Sequence, residues 1–391
     1  MKKIEGGVTA AQGFEAASAA ARIKYEGRTD MALIFSKAPC ECAGTFTTNV
    51  VKAAPVIWDR EMVYSGAAAH AVIVNSGIAN ACTGKEGMDY CRQTAEEAAA
   101  CLGISADSVL VGSTGVIGFQ LPIDRIKAGV RMLAENKKAG LAAGTEAAKA
   151  IMTTDTVHKE VAYEFEVGGT KAVIGGMAKG SGMIHPNMCT MLGYVTTDAA
   201  IEKKLLQKAL SEIVQETFNM ISVDGDTSTN DTLLVLANGL AGNAPVCDEK
   251  SEDYAVFYEA LKTVCRELAM KMAGDGEGCT RLIETRVIHA DTLENARILA
   301  KSVITSSLTK AAVFGKDANW GRILCALGYS GAQFDPENCD LYFGEGEDRI
   351  LIFTDGYASF PGEEAALDIP VIWLIKDSDI EPPWGSCVHL D

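Results

Sequence analysis

Hydrophobic residues along this chain form short apolar runs and helical stripes in alternation. Apolar runs rich in β-branched residues and bounded by turn residues, a pattern typical of buried strands, occur at 71–75, 109–112, 171–177, 232–238 and 349–353. Stripes at i, i+3 and i+4 spacing, which predict amphipathic helices, occur at 89–102, 124–135, 203–218, 253–272 and 293–307. The interleaving of both patterns predicts an α/β or α+β architecture in layers.

One stretch near the middle of the chain interrupts these patterns. Residues 179–198 read KGSGMIHPNMCTMLGYVTTD. Glycines 180 and 182 free the backbone and Pro186 lacks a backbone donor, so the sequence predicts a shaped loop here. We take the glycine-rich segment 175–188 as the first candidate for a domain boundary and the Gly, Pro and Asp-rich segment 238–253 as the second.

Thr190 stands at the end of this loop, just before an apolar run. A threonine in a turn usually only bonds to the local backbone. A threonine hydroxyl is also a nucleophile when a base lies beside it. From the residues alone, both interpretations of Thr190 stay open.

Composition and charge narrow the class of protein. The chain has 391 residues, 48% of them hydrophobic, so we expect one large or two intermediate domains. A net charge of −17 argues against nucleic acid or an anionic membrane as a partner, because phosphate contacts need clustered Lys and Arg. The N-terminal stretch lacks the apolar core of a signal peptide, and no run of about 20 apolar residues occurs. We therefore expect a cytoplasmic protein.

The twelve cysteines of the chain are candidate metal ligands. Cys40 and Cys42 form a C-x-C pair, but no C-x-x-C or H-x-x-x-H pattern accompanies them, so we expect no metal site. Cys265 and Cys325 lie in apolar stretches, and we expect both to be buried as small hydrophobic residues.

Several glycine-rich and acidic segments imitate known motifs but fail on spacing. Residues 77–86 lack the spacing of a phosphate-binding loop, and residues 224–231 begin like a calcium loop but have no glycine at its sixth position. What survives is a set of seven islands of polar and small residues, which together predict a cleft. The islands are 75–84, 113–118, 152–155, 179–182, 222–231, 275–278 and 315–322.

These islands carry a resemblance to a known family. The segments GGVTAAQGF, FTTNVVKAAPV, NSGIANACTG, STGVIG, KGSGMIHPNMCTML, VDGDTSTND, DGEGCTRLIE and FGKDANWGRILCALGYSG follow one another over residues 6–331. In this order they resemble the ornithine acetyltransferase family, the bifunctional glutamate N-acetyltransferases of arginine biosynthesis. The resemblance implies two layers of helix around mixed sheets and a self-cleaving precursor. It implies cleavage between Cys189 and Thr190, and assembly of two 1–189 and two 190–391 fragments into a heterotetramer.

The resemblance also implies the chemistry. Thr190, as the new N-terminal residue, would take acetyl from N-acetylornithine and pass it to glutamate. Its free α-amine, with an ordinary pKa of about 8, can serve as the base, so no histidine is required. Thr114 and Gly115 are implied as the oxyanion hole, whose loss of one donor should cost about 3 kcal/mol. Thr190 itself and the residues Thr153, Lys179 and Glu277 are implied as substrate contacts. No bound cofactor is implied, and use of acetyl-CoA as a co-substrate is left open.

Two departures from the family pattern keep alternatives open. Cys189 replaces the usual alanine before the cleavage point, and a thiol there could compete as a nucleophile. The terminal WGSCVHLD lacks the family's substrate-contacting asparagine and final Ser or Thr, so we expect a truncated or frame-shifted tail. The alternatives are a self-processed amidase or aminopeptidase that uses water as acceptor, and a non-catalytic homologue that binds small amino acids.

Overall fold

The computed structural model describes residues 1–185, 191–336, 339–344, 350–354, 371–376 and 386–390. The predicted cleavage pair, Cys189 and Thr190, lies outside the described residues, and so do Trp384 and Gly385 of the C-terminal motif. The chain divides into two compact units, Met1–Glu277 and Gly278–Asp391.

The first unit contains nine strands and six α-helices among its described residues. The strands are β1 Lys2–Ile4, β2 Phe14–Ala19, β3 Met31–Phe46, β4 Ala69–Ile78, β5 Val109–Val116, β6 Lys159–Val167, β7 Thr170–Lys179, β8 Leu192–Thr197 and β9 Thr232–Ala237. The helices are α1 Ala54–Ser65, α2 Gly84–Leu102, α3 Ile123–Asn136, α4 Leu141–Ala150, α5 Lys203–Glu216 and α6 Glu252–Gly274. Four of the predicted strands and four of the predicted helices are among them, which confirms those predictions.

The strands pair in the order β1-β6-β7-β8-β9-β3-β4-β5, with β2 on the side of β3. The long strand β3 joins two halves, because its first part pairs with β2 and β4 while residues 41–46 pair with β9. Most neighbours are antiparallel, but β4 with β5 and β8 with β9 are parallel. The sheet is therefore mixed, and it folds into two facing layers at β3.

Side chains that alternate along the strands show how the layers stack. Val72 of β4 and Leu234 of β9 belong to one buried cluster between the two sheet layers. Ile73, the next residue of β4, packs with α2 and α3. Val235, the next residue of β9, packs with α5 and α6. Both faces of these strands are buried, which is why they read as continuous apolar runs. The predicted α/β layered fold, with two layers of helix around mixed sheets, is confirmed.

The domain boundary predicted at 175–188 is wrong, because this segment lies inside the first compact unit. Residues 175–179 belong to β7, and β7 pairs with β8 across the segment, so residues 180–191 connect two neighbouring antiparallel strands of one unit. Gly175 serves a close approach, because a Cβ on it would lie 2.2 Å from the Gly7 carbonyl oxygen. Residues 238–251 connect β9 to α6, and the second predicted boundary segment, 238–253, also lies inside the first unit.

The second unit has its own helices and sheet. Its elements are β10 Glu284–Val287, α7 Leu293–Thr305, α8 Ser307–Phe314, α9 Trp320–Gly328, β11 Asp340–Gly344, β12 Ile350–Thr354, β13 Val371–Lys376 and β14 Ser386–Leu390. The strands pair in the order β10-β12-β11-β13-β14, and the predicted strand at 349–353 corresponds to β12. Within the described residues, no helix of either unit combines the length and apolar character needed to cross a bilayer.

The two cysteine predictions have different outcomes. Cys265 of α6 is buried, as expected. Cys325 is exposed, because the buried face of α9 is formed by Ile323, Ala326 and Leu327. An apolar sequence around a cysteine therefore did not determine which face of the helix it occupies.

Candidate active site

The carboxyl ends of β4 and β5 form a tight pair at the predicted oxyanion hole. The parallel register sets Ser76 opposite Thr114 and Gly77 opposite Gly115. Gly115 has a φ of +131°, which L side chains rarely adopt. A Cβ on it would lie 2.2 Å from the Gly77 carbonyl carbon, and backbone cannot move aside as a flexible side chain can. The STG sequence is therefore a close backbone contact that needs its glycine.

Replacing Gly115 by alanine should lower the free energy of unfolding by about 1–3 kcal/mol from backbone strain alone. Gly118→Ala is the matched control, because Gly118 also has a positive φ, +85°, but no atom lies within 4 Å of its added Cβ. Urea unfolding measures the free energy of unfolding of both variants. Equal losses for the two variants would contradict a specific contact between Gly115 and Gly77.

Buried side-chain amides hold this strand end to two other polar islands. The Asn230 side chain donates to the Ala79 carbonyl at 2.6 Å and to the Ser113 carbonyl at 2.8 Å. The Ser113 hydroxyl donates to Asn75 Oδ1 at 2.7 Å. Three islands that are distant in sequence, 75–84, 113–118 and 222–231, therefore meet in space.

Lys179 ends β7 and brings a buried cation to Thr114. Its ammonium donates to Thr114 Oγ1 at 3.3 Å and lies 4.0 Å from Asp155 Oδ2. Burial lowers the pKa of Lys179, the attraction of Asp155 opposes that shift, and the charge of Lys159 adds to it. Because the Thr114 oxygen accepts from Lys179, its own hydroxyl proton is directed to another acceptor.

The other two residues implied as substrate contacts are attached to the same region. The Thr153 backbone N–H donates to Asp155 Oδ2 at 3.1 Å. The Glu277 backbone N–H donates to the Ser181 carbonyl at 2.9 Å, and its carboxylate lies so close to Gly182 that a Cβ there would be 2.1 Å from Oε2. Gly182 thus leaves room for this carboxylate.

A buried ion cluster beneath these residues was not predicted. The Lys159 ammonium lies 2.7 Å from Asp155 Oδ1 and 2.6 Å from Asp275 Oδ2. The islands MTTD and DGEG contain both aspartates, so a polar signal existed for them. Lys159 carried no signal, because a lone lysine at the start of a strand is ordinarily a solvated residue.

Residues on both sides of 186–190 are bonded to the segment 222–232. The Asp224 carboxylate accepts from the Ile184 N–H at 2.9 Å, and the Thr227 hydroxyl donates to the His185 carbonyl at 2.9 Å. On the other side the Asp231 carboxyl accepts from the Met191 N–H. Burial raises the pKa of Asp231 well above its usual range, and these bonds only partly oppose the shift.

Comparison with known proteins places the chain in a family. A family model described as the ArgJ family matches residues 15–369. The arginine biosynthesis bifunctional protein ArgJ of Symbiobacterium thermophilum is 55% identical over 349 residues, 88% of this chain and 85% of that protein. Its counterpart from Thermotoga neapolitana is 47% identical over 92% of this chain and 89% of its own. A solved ornithine acetyltransferase of Mycobacterium tuberculosis, complexed with ornithine, is 44% identical over 47% of this chain and 96% of its own, with a TM-score of 0.43. This chain belongs to the ArgJ family.

Proposed function

We propose that this chain is an acyltransferase of arginine biosynthesis that moves the acetyl group of N-acetylornithine to glutamate. The observation that carries the proposal is the buried contact between Lys179 and Thr114 beside the glycine turn at Gly115. It puts a cation and a hydroxyl donor next to a backbone turn where a carbonyl oxygen can be stabilised as it becomes negative. Family membership and the colinear motifs support the same reaction.

The proposed nucleophile, Thr190, is released by self-cleavage. Its hydroxyl oxygen attacks the carbonyl carbon of Cys189, the peptide C–N bond breaks, and the acyl chain is carried as an ester until water hydrolyses it. The product has a free α-amine on Thr190. Support comes from the position of the segment. β7 and β8 pair on either side of it, and the bond that breaks is not part of their hydrogen-bonded ladder.

Two half-reactions then follow at the same oxygen. First the Thr190 oxygen attacks the acetyl carbonyl carbon, its proton passes through the α-amine to the leaving nitrogen, and ornithine departs. Then the amino group of glutamate attacks the acetyl ester, and the Thr190 oxygen leaves and regains a proton. In both steps the Thr114 hydroxyl and the Gly115 N–H are proposed to donate to the oxyanion. The kinetics are ping-pong.

Substrate charge is proposed to be recognised by Lys179 and Glu277. A free amino acid presents a carboxylate and an ammonium, and charge-assisted hydrogen bonds to a lysine and a glutamate match those two groups. Thr153, held beside Asp155, is proposed as a neutral contact. We also propose a cytoplasmic enzyme that is assembled from two copies of each fragment and has no bound cofactor. Acetyl-CoA is the candidate for a second acetyl donor.

The first expected result is a pair of species of residues 1–189 and 190–391 in the denatured, purified protein, observed by intact mass spectrometry. The second is release of ornithine from N-acetylornithine that depends on glutamate. Ornithine formed at the same rate without glutamate would make the chain a hydrolase. A single uncut species of 391 residues that binds ornithine without turnover would make it the non-catalytic homologue.

A further inference from the structure

Lys159 is the least exposed charged residue of the site region, with none of its surface accessible. Its ammonium has three acceptors: Asp155 Oδ1 at 2.7 Å, Asp275 Oδ2 at 2.6 Å and the Val157 carbonyl at 3.2 Å. A lysine ammonium has three donors, so the group is saturated by this cluster. It has no donor left for a substrate, and its role is not direct contact.

Each of the two carboxylates also bonds to a different part of the substrate region. Asp155 accepts the Gly180 N–H at 2.7 Å through the same oxygen that contacts Lys159, and Lys179 lies 4.0 Å from its other oxygen. Asp155 therefore holds the backbone just after β7 and attracts the ammonium of Lys179. Burial would raise the pKa of the Asp155 carboxyl, but the two lysines and the Gly180 N–H lower it below its usual value.

Asp275 holds the loop that carries Glu277 in place. It follows the last residue of α6 and accepts the Thr156 N–H and hydroxyl. Two residues later the Glu277 N–H donates to the Ser181 carbonyl at 2.9 Å. Burial would raise the pKa of the Asp275 carboxyl, but Lys159 and Thr156 lower it. The loop 275–277 is thus bonded at both of its ends.

Lys159 is the one group in this cluster that touches both carboxylates. Its charge links Asp155, which lies near Lys179, to Asp275, which lies two residues before Glu277. A buried charge that loses its ion-pair partner has no water to take the place of that partner. The cluster therefore has all its charges paired in a single arrangement. An increase in the distance between Asp155 and Asp275 would lengthen or break one of the two ion pairs.

We propose that Lys159 is a positioning residue that sets the separation between the Lys179 ammonium and the Glu277 carboxylate, and thereby fits the site to the carboxylate and ammonium of one amino acid. The inference rests on the proposed function, because the roles of Lys179 and Glu277 come from it. It assigns Lys159 to substrate affinity rather than to the chemical step.

The test uses the full chain with Lys159→Met, which keeps the length of the side chain and removes its charge. KM for N-acetylornithine and for glutamate should each rise on the order of ten- to a hundredfold, with a smaller change in kcat, because weakened hydrogen bonds to charged groups lower binding by about that factor. Lys159→Arg can donate to both carboxylates and should restore most of the loss. Lys262→Met, which breaks a half-exposed ion pair with Glu216 in the same unit, is the control and should leave KM unchanged.

A double-variant comparison separates positioning from general damage. If Lys159 acts through Glu277, then adding Lys159→Met to Glu277→Gln should raise KM by less than about twofold, because residues of one network are not additive. An equal rise in both backgrounds would overturn the proposal. Asp275→Asn, which keeps the shape and can still accept from Thr156, provides the same comparison if Lys159→Met does not fold.

Hydrogen exchange gives a readout that does not need activity. In Lys159→Met, exchange should become faster in peptides covering Gly180 and Glu277 together, while β4 stays protected. Faster exchange confined to 155–159 would overturn the inference. If the wild-type chain shows no acetyl transfer but the two distant peptides respond together, the proposed function fails and the positioning role stands.

Discussion

Replacing Thr190 by alanine should leave the chain as one species of 391 residues and lower acetyl transfer by ~10⁴-fold or more. The size of the effect follows from the double use of one hydroxyl. The same oxygen is proposed to attack the Cys189 carbonyl during maturation and the acetyl group during turnover. Without cleavage, the α-amine that serves as the base is also absent. Intact mass spectrometry and an ornithine-release assay measure the two losses separately.

Two variants control for side effects at this junction. Thr190→Ser keeps a hydroxyl and should still give the 1–189 and 190–391 fragments. Cys189→Ala should be cleaved at the same bond, because its thiol is not needed for attack. Cleavage of Thr190→Ala between residues 189 and 190 would rule out the threonine as the maturation nucleophile and would direct attention to the Cys189 thiol.

Replacing Thr114 by alanine should lower kcat by about 10²- to 10³-fold, or about 2.7–4 kcal/mol of activation free energy, as the loss of one oxyanion donor does in other enzymes. The reason lies in the direction of one hydrogen bond. Lys179 donates to Thr114 Oγ1 at 3.3 Å, so the threonine proton is left for the developing oxyanion, and the nearby cation makes that proton a better donor. Steady-state kinetics at saturating substrates measure the effect.

The expected pattern is a fall in kcat with little change in KM, because the Asp155 side of Lys179 is unaffected by the substitution. Thr114→Ser keeps the hydroxyl and should retain most of the rate. A rise in KM with kcat unchanged would contradict the oxyanion role, since the interaction would then be equally strong in the ground state and in the transition state. Thr114 would in that case only shape the substrate pocket.

The sequence by itself determined the layered fold and most of its inner elements. The runs at 71–75 and 232–238 became β4 and β9, and the stripe at 203–218 became α5, whose Leu206, Leu210 and Ile213 are buried. These predictions hold because local periodicity reports which faces of an element meet other protein, and two-sided burial leaves no polar position in a strand. The polar islands likewise identified Thr114, Lys179 and Glu277 as residues of one region, and the motif order identified the family.

Tertiary structure alone decided how those residues are held. Gly175 lies in the predicted strand 171–177 and also in the predicted boundary segment 175–188. The sequence did not show that the Gly7 carbonyl oxygen would lie 2.2 Å from a Cβ on Gly175, or that the compact units divide at Glu277. The contact between Lys179 and Thr114 joins residues 65 positions apart, and the pair Lys159 and Asp275 joins residues 116 apart. Periodicity describes one element at a time. The first of these contacts depends on how β3 folds the sheet into two layers, and the second depends on how α6 packs against β6. For that reason the family could be predicted from the sequence, but the buried cluster around Lys159 could not.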